Sequence, residues 1–71
     1  MKRYLVVFEK SETGYGVYVP DLPGCVATAP TKEEAERLIY EGIQFHLEGL
    51  ALEGLPIPVA SSEAETMFFA Y

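Results

Sequence analysis

The sequence is poor in the residues from which active sites and covalent cross-links are usually built. Its 71 residues contain one cysteine, Cys25, one histidine, His46, and no tryptophan. A single cysteine has no partner for an intrachain disulfide. One cysteine and one histidine also fall short of the three or four protein ligands that a zinc site requires. The sequence therefore predicts no disulfide, no metal site and no cofactor.

Basic residues are also scarce. Five lysines and arginines stand against eleven aspartates and glutamates, which gives a formal net charge of −6. An acidic protein is repelled by a phosphate backbone, so we expect no direct binding of nucleic acid by this chain. A basic protein would suit its charge much better as a partner.

Long apolar runs are missing as well. No segment approaches the ~20 consecutive apolar residues that span a bilayer. Met1-Lys2-Arg3 leads into an apolar run that is too short for a secretory signal. These features predict a cytoplasmic protein without a membrane segment.

The length predicts one domain over residues 1–71, because so short a chain cannot hold two cores. A domain of this size buries only about 60% of the surface that its unfolded chain exposes, while ordering costs on the order of 1.5 kcal/mol per residue. With 49% hydrophobic residues, we expect a homodimer or a higher homo-oligomer to supply further stability.

Three short runs of β-branched, aromatic and small residues predict consecutive strands of an antiparallel meander. The first two runs are separated by the polar segment Glu9–Gly14, which predicts a hairpin connection. Gly16, inside the second run, indicates a bulge or a close backbone approach. The predicted strands are Tyr4–Phe8, Tyr15–Val19 and Cys25–Ala29.

The connection between the second and third runs reads Pro20-Asp21-Leu22-Pro23-Gly24. Proline cannot donate to a strand ladder, and Pro-Gly supplies the dihedral pair of a type II turn. Asp21 can bond nearby backbone groups in an Asx-turn. The segment predicts a sharp turn after the second strand, followed by Cys25 as a small buried residue.

A long amphipathic helix follows. Thr31 and Glu34 form a capping box at its start, and Gly54 with Pro56 predicts its end. Apolar residues recur at three- and four-residue spacing and form one stripe of about four turns. They are Ala35, Leu38, Ile39, Gly42, Ile43, Leu47 and Leu50.

The segment Glu65–Tyr71 predicts a fourth strand. Its bulky apolar residues are consecutive, so both faces of such a strand would be apolar and a second subunit could cover one of them. The predicted oligomer interface consists of Met67, Phe68, Phe69 and Tyr71. The complete prediction is an α+β fold of β-β-β-α-β order, an antiparallel sheet with one long helix on one face.

Catalysis would have to come from very few side chains. A nucleophilic Cys25 would need His46 as its base, but no third group is evident to orient that histidine. Asp21 is the one aspartate, and a residual nuclease or other small enzyme would need it to converge with Glu9 and Cys25. The sequence favours a protein that is not an enzyme and has no catalytic residues.

Three stretches, taken together, resemble the HicB-like antitoxin family in order and spacing. They are G-Y-G-V-Y-V-P-D-L-P-G-C at Gly14–Cys25, T-K-E-E-A at Thr31–Ala35, and H-L-E-G-L-A-L-E-G-L-P-I-P at His46–Pro58. The similarity runs from about Tyr4 to Pro58. The P-D-L-P-G-C element and the E-E-A helix start, at this separation, make a specific signal.

The resemblance implies a partial RNase H-like fold that lacks the catalytic carboxylates of the nuclease. Family members pair with HicA, a small basic toxin of double-stranded-RNA-binding fold that cleaves mRNA with a histidine. This chain is then expected to occlude such a toxin, if one is encoded nearby, through a turn region made of Pro20, Asp21, Leu22, Pro23 and Gly24.

Two features depart from the family pattern. Many members continue into a helix-turn-helix or ribbon-helix-helix segment, whereas this sequence stops at Tyr71, so it is expected to be a short stand-alone member that does not regulate its own operator. Ala29-Pro30 precedes Thr31 where the family more often has Gly-Asp or Gly-Glu. A residual nuclease and an orphan oligomeric scaffold without a toxin stay open as alternatives.

Overall fold

The fold consists of a three-stranded antiparallel sheet followed by one long helix. The structure is a computed structural model that describes residues 2–71. The elements, in chain order, are β1 (Val7–Ser11), β2 (Gly14–Tyr18), β3 (Val26–Ala29) and α1 (Lys32–Leu52). The strands lie side by side in the order β1-β2-β3. This confirms the predicted α+β class and the predicted meander.

The β1–β2 hairpin is shifted along the sequence from its predicted position. Ser11 pairs with Gly14, and Glu9 pairs with Gly16. The predicted hairpin is therefore present, but its connection is a two-residue turn that is shorter than the predicted Glu9–Gly14. Polar residues are compatible with a strand here because β1 lies at the edge of the sheet and its last three residues are exposed.

The close backbone approach in β2 occurs at Gly14, not at Gly16 as predicted. Gly16 pairs regularly with both neighbouring strands, and a Cβ there would meet nothing within 4 Å. A Cβ on Gly14 would collide with the carbonyl oxygen of Ala29. Gly14 also has a φ of 153°, and the two features together explain why glycine fits there.

The helix begins and ends where the sequence predicted. The backbone N–H of Glu34 donates to Oγ1 of Thr31 over 3.2 Å, which caps the helix. After Leu52, Gly54 adopts a left-handed φ of 70°. The backbone N–H of Leu55 then donates to the carbonyl of Leu50 over 2.9 Å, which satisfies a carbonyl at the helix end.

The core lies between the sheet and the apolar stripe of α1. The helix packs mainly over β2 and β3, so the side of β1 that faces the helix layer is only partly covered. The buried residues of this core are Val17, Val19, Leu22, Cys25, Ala35 and Ile39.

The predicted fourth strand over Glu65–Tyr71 is not formed, since residues 55–71 contain neither helix nor strand. The connector is held at two places: the Tyr4 hydroxyl donates to the Pro58 carbonyl over 2.6 Å, and Ser61 and Ser62 bind Asp21. Beyond Ser62 every residue is exposed. A strand needs a neighbouring backbone to pair with, and within residues 2–71 this segment has none.

Candidate functional site

The connection between β2 and β3 forms a rigid corner made of two successive turns. The backbone N–H of Leu22 donates to the Val19 carbonyl over 3.1 Å, and the N–H of Cys25 donates to the Leu22 carbonyl over 3.1 Å. A third bond joins the N–H of Val19 to the Cys25 carbonyl over 3.2 Å. Gly24 has a φ of 85°, which confirms the type II turn predicted from the Pro-Gly pair.

Leu22 anchors this corner in the core and is not available to a partner. Its side chain is fully buried and belongs to the core between the sheet and α1. Its inclusion among the expected partner-binding residues was therefore wrong, because a proline on each side turns the backbone so that Leu22 points inward. Pro20, Pro23 and Gly24 are exposed and remain candidates for contact.

Asp21 ties the corner to the segment that follows α1. Its carboxylate accepts from the backbone N–H groups of Ser61 and Ser62, each over 2.9 Å, and from their hydroxyls over 3.2 Å and 2.8 Å. These bonds, led by the backbone N–H of Ser62, lower the pKa of Asp21 below its ordinary value. The prediction of a local Asx-turn was wrong, since the groups that donate to the Asp21 carboxylate lie about 40 residues further along the chain.

An apolar row on the open face of the sheet adjoins the corner. Tyr18 pairs with Val7 on one side and with Val26 on the other. Their neighbours Val17 and Cys25 are buried, so alternation turns Tyr18 and Val26 to the face opposite α1. The side chain of Val26 is 68% exposed. We call Pro20, Pro23, Gly24, Tyr18 and Val26 the corner surface.

Sequence reasoning missed Tyr18 and Val26 as site residues. The available signal was the two-residue alternation, which places Val26 on the opposite face from Cys25 once the latter is taken as core. Two neighbouring exposed apolar side chains beside an exposed turn make this face a candidate for protein binding.

The side chains considered for catalysis lie in different environments. Cys25 is buried, with its Sγ 3.8 Å from the position of a Cβ on Gly42 of α1, which confirms the small buried residue that was expected. Burial raises the pKa of its thiol and so disfavours the nucleophilic thiolate. Glu9 is exposed on β1, His46 is half-buried on α1, and Asp21 is engaged by the two serines.

Residues 2–71 contain neither a cluster of metal-ligating side chains nor a helix suited to cross a membrane. No three or more His, Cys, Asp or Glu side chains lie close enough there to hold a metal ion. No helix among these residues has the length and apolar content to cross a membrane.

The expected oligomer-interface residues all lie in the exposed segment at the end of the chain. Phe68 is 92% exposed and Phe69 is 81% exposed. Met67 and Tyr71 are exposed as well. These four residues form a second candidate surface of the chain.

A family model matches nearly the whole chain. The model describes a HicB-like antitoxin of bacterial toxin-antitoxin systems, and it matches residues 4–69. The match includes both the corner and most of the exposed terminal segment.

Three similar proteins illustrate the relationship. A UPF0150 protein of Thermoplasma acidophilum is 39% identical over 66 residues, which cover 92% of this chain and 96% of that protein. An uncharacterised 14.9 kDa protein of Haemophilus phage HP1 is 40% identical over 55 residues, or 78% of this chain and 41% of the phage protein. The antitoxin HicB 2 of Photorhabdus laumondii is 32% identical over 63 residues, or 89% of this chain and 45% of the antitoxin. The chain thus spans less than half the length of the last two.

Proposed function

This chain belongs to the HicB-like antitoxin family, and on that premise we propose that it is a non-catalytic inhibitor that binds and occludes a small basic mRNA-cleaving toxin of the HicA type. The family match over residues 4–69 is the observation that carries the proposal. We place the activity in the cytoplasm, where such a toxin meets mRNA.

The corner surface is the part of the molecule that we assign to toxin binding. Its backbone is fixed by three hydrogen bonds, so little conformational entropy is lost when it is immobilised in a complex. Tyr18 and Val26 add an exposed apolar patch, and tyrosine is one of the residue types enriched among energetically dominant interface contacts.

The charge of the chain supports a cationic partner. Its net charge of −6 attracts a basic protein over a distance and raises the rate of encounter. The attraction is screened above about 0.1 M salt. We therefore expect association with the toxin to slow as salt is added, while dissociation, which depends on the contacts at the corner surface, changes less.

The test combines a cleavage assay with a measurement of complex formation. The full chain is mixed with a HicA-type toxin encoded beside it, and mRNA cleavage is followed together with the mass of the complex on a sizing column. We expect cleavage to stop at equimolar chain and a complex to elute. Undiminished cleavage without a complex would refute the proposal.

Two substitutions at the corner surface test its location. Pro23→Lys and Val26→Lys each place a positive charge on an exposed position, where it would repel a basic toxin. Each is expected to weaken binding by roughly tenfold or more, or about 1.4 kcal/mol. Thr13→Lys adds the same charge at the exposed turn at the other end of β2 and serves as the control. Equal weakening by Thr13→Lys would mean that overall charge, and not the corner, determines binding.

A further inference from the structure

An apolar groove runs between the N-terminal segment of the chain and α1. Its volume is about 300 Å³. A second depression continues it along α1 as far as Gln44 and Leu47. Lys2 and Glu36 lie at its rim, and its apolar wall is formed by Tyr4, Val6, Phe8, Ile39, Tyr40 and Ile43. We call it the edge groove.

The edge groove exists because α1 covers only part of the sheet. The helix packs mainly over β2 and β3, and β1 is the edge strand on the side that the helix covers least. Lys2, Tyr4 and Val6 of the N-terminal segment and Phe8 of β1 therefore line the groove, and the last three are only partly buried against the core. Within the part of the chain that the structure describes, no strand pairs with the far side of β1. An uncovered edge of this kind readily accepts another strand.

The chain also exposes much more surface than a folded monomer of its size. Its accessible surface is 5932 Å², whereas a monomer of 7.9 kDa is expected to expose roughly 4,400 Å². Its radius of gyration is 14.1 Å, against roughly 11 Å for a compact chain of this length. The segment after Ser62 accounts for part of this difference, because all its residues are exposed.

The size of the excess matches what a stable homodimer buries. Obligate homodimers bury upwards of about 2,000 Å² in total, or about 1,000 Å² on each chain. The excess here is roughly 1,500 Å² per chain by the same scaling. The excess surface of each chain is therefore large enough to accommodate the interface of a stable homodimer.

We propose that two copies of this chain exchange their C-terminal segments, so that Met67–Phe69 of each copy occupies the edge groove of the other along the free side of β1. The strand-forming composition of Glu65–Tyr71 then finds the backbone partner that it lacks within its own chain. The arrangement is reciprocal, as in a twofold homodimer. The exposed Lys2 at the rim of the groove and the acidic Glu65 of the incoming segment have opposite charges.

Exchange is favoured over folding of the segment onto its own groove. The connector is tied down at Ser61 and Ser62 by Asp21, and next to it Arg3, Tyr4 and Leu5 line a shared depression. In the single chain every residue after Ser62 is exposed and none lines the groove, so the segment does not fill its own chain's groove. The sequence has no glycine or proline after Pro58, so the residues best suited to a sharp turn back toward that groove are absent.

Disulfide trapping between two versions of the full chain tests the exchange. Both versions carry Cys25→Ala, which removes the buried native thiol; one also carries Tyr40→Cys and the other Phe69→Cys. Mixed under oxidising conditions, the two versions are expected to form a disulfide-linked pair in preference to pairs of the same version. Phe45→Cys is the matched control, since Phe45 is also highly exposed on α1 (79%, against 68% for Tyr40) but is not among the residues that line the groove. Equal trapping at Phe45 and Tyr40 would overturn the proposal.

Sedimentation gives an independent readout. The wild-type chain is expected to sediment at about twice its mass of 7.9 kDa, and the double variant Phe68→Asp, Phe69→Asp is expected to be a folded monomer. The variant should keep its fold because both phenylalanines are highly exposed in the single chain, which circular dichroism can verify. A wild-type chain that is monomeric at about 100 µM, well above the Kd of a stable dimer, would overturn the proposal. The exchange would also be contradicted if a chain that carries both Tyr40→Cys and Phe69→Cys formed its disulfide within one monomer.

Discussion

At the scale of single residues, Leu22 shows how an exposed turn can be anchored in the core. It lies between two exposed prolines, yet its side chain is completely buried. The two turns around it point the side chain inward, where it joins Val19 and Cys25 in the core. The corner therefore depends on core packing for its shape.

Leu22→Ala is expected to lower the free energy of unfolding by about 2 to 5 kcal/mol, because it removes a buried side chain and leaves a cavity. That loss approaches the whole stability of a small domain. Leu52→Ala is the matched control: Leu52 is 89% exposed, so its replacement should change stability by no more than about 0.5 kcal/mol. Urea unfolding of both variants measures the difference. Similar losses in the two variants would contradict the packing assigned to Leu22.

Asp21 should make the stability of the protein depend on pH in the acidic range. Its pKa is lowered in the folded state by bonds from Ser62 and Ser61. Because the pKa is lower in the folded state, the ionised carboxylate stabilises the fold at pH values above the pKa of the unfolded chain, about 3.9. This contribution is lost as the pH falls through the pKa of the folded state. Asp21→Asn is therefore expected to be less stable than wild type at pH 7, and the difference should shrink as the pH falls below the unfolded pKa toward the lower pKa of the folded state.

The serine hydroxyls provide the control for Asp21. Ser61→Ala with Ser62→Ala removes both hydroxyl donors but keeps the two backbone N–H donors, of which that of Ser62 is the largest influence on the carboxylate. We expect this double variant to lose less stability at pH 7 than Asp21→Asn does. Thermal unfolding across the pH range measures both. A loss for Asp21→Asn that is the same at pH 7 and at pH 3 would contradict the assignment.

At the scale of elements, local signals predicted the helix well and the strands less well. The helix start depends on Thr31 and its end on Gly54, and each acts on its own neighbours in sequence. The boundaries of β1 depend on pairing across the hairpin, so composition alone does not show that the polar residues Glu9–Ser11 belong to the strand and not to the connection. The contact between Gly14 and Ala29 joins residues that are distant in sequence, which no local pattern could reveal.

Gly14→Ala tests the contact between the hairpin and the end of β3. The new Cβ would collide with the carbonyl oxygen of Ala29 and approach the Cα of Pro30. Both are backbone atoms, so no flexible side chain can move aside, and we expect a loss of about 1 to 3 kcal/mol. Chemical denaturation measures the loss.

Gly49→Ala is the opposite case and serves as the control. Gly49 lies in α1 with nothing within 4 Å of an added Cβ, so alanine should stabilise the helix by up to about 1 kcal/mol. If Gly14→Ala were neutral or stabilising like Gly49→Ala, the close approach of β2 to the end of β3 would be contradicted.

At the scale of the whole molecule, the two proposed surfaces lie on opposite sides of the sheet. The edge groove is on the side of α1, whereas Tyr18 and Val26 of the corner surface face away from it. A dimer formed by exchange would therefore leave the corner surface of each copy open to a toxin. One assembly could then hold two toxin molecules.

Contacts between distant parts of the chain could not be predicted from the sequence. The Pro-Gly turn, the cap at Thr31 and the apolar composition of Met67–Phe69 are local features and could be predicted. The partners of Asp21 could not, because Ser61 and Ser62 reach it only after the chain has passed through the whole helix. The missing fourth strand has the same origin: its composition favours a strand, but pairing requires a second backbone.

The thermal stability of the wild-type chain should depend on its concentration if two copies fold together. Because a dimer unfolds into two separate chains, its free energy of unfolding rises by about 1.4 kcal/mol for each tenfold rise in protein concentration. For a dimer of this size, that corresponds to a rise in Tm of roughly 4 °C per tenfold. Calorimetry between about 5 and 500 µM spans two such steps. The Phe68→Asp, Phe69→Asp variant should show a lower Tm that does not change over this range. A wild-type Tm that is equally constant would mean that the chain folds and melts as a monomer, and that its exposed C-terminal segment has a different partner.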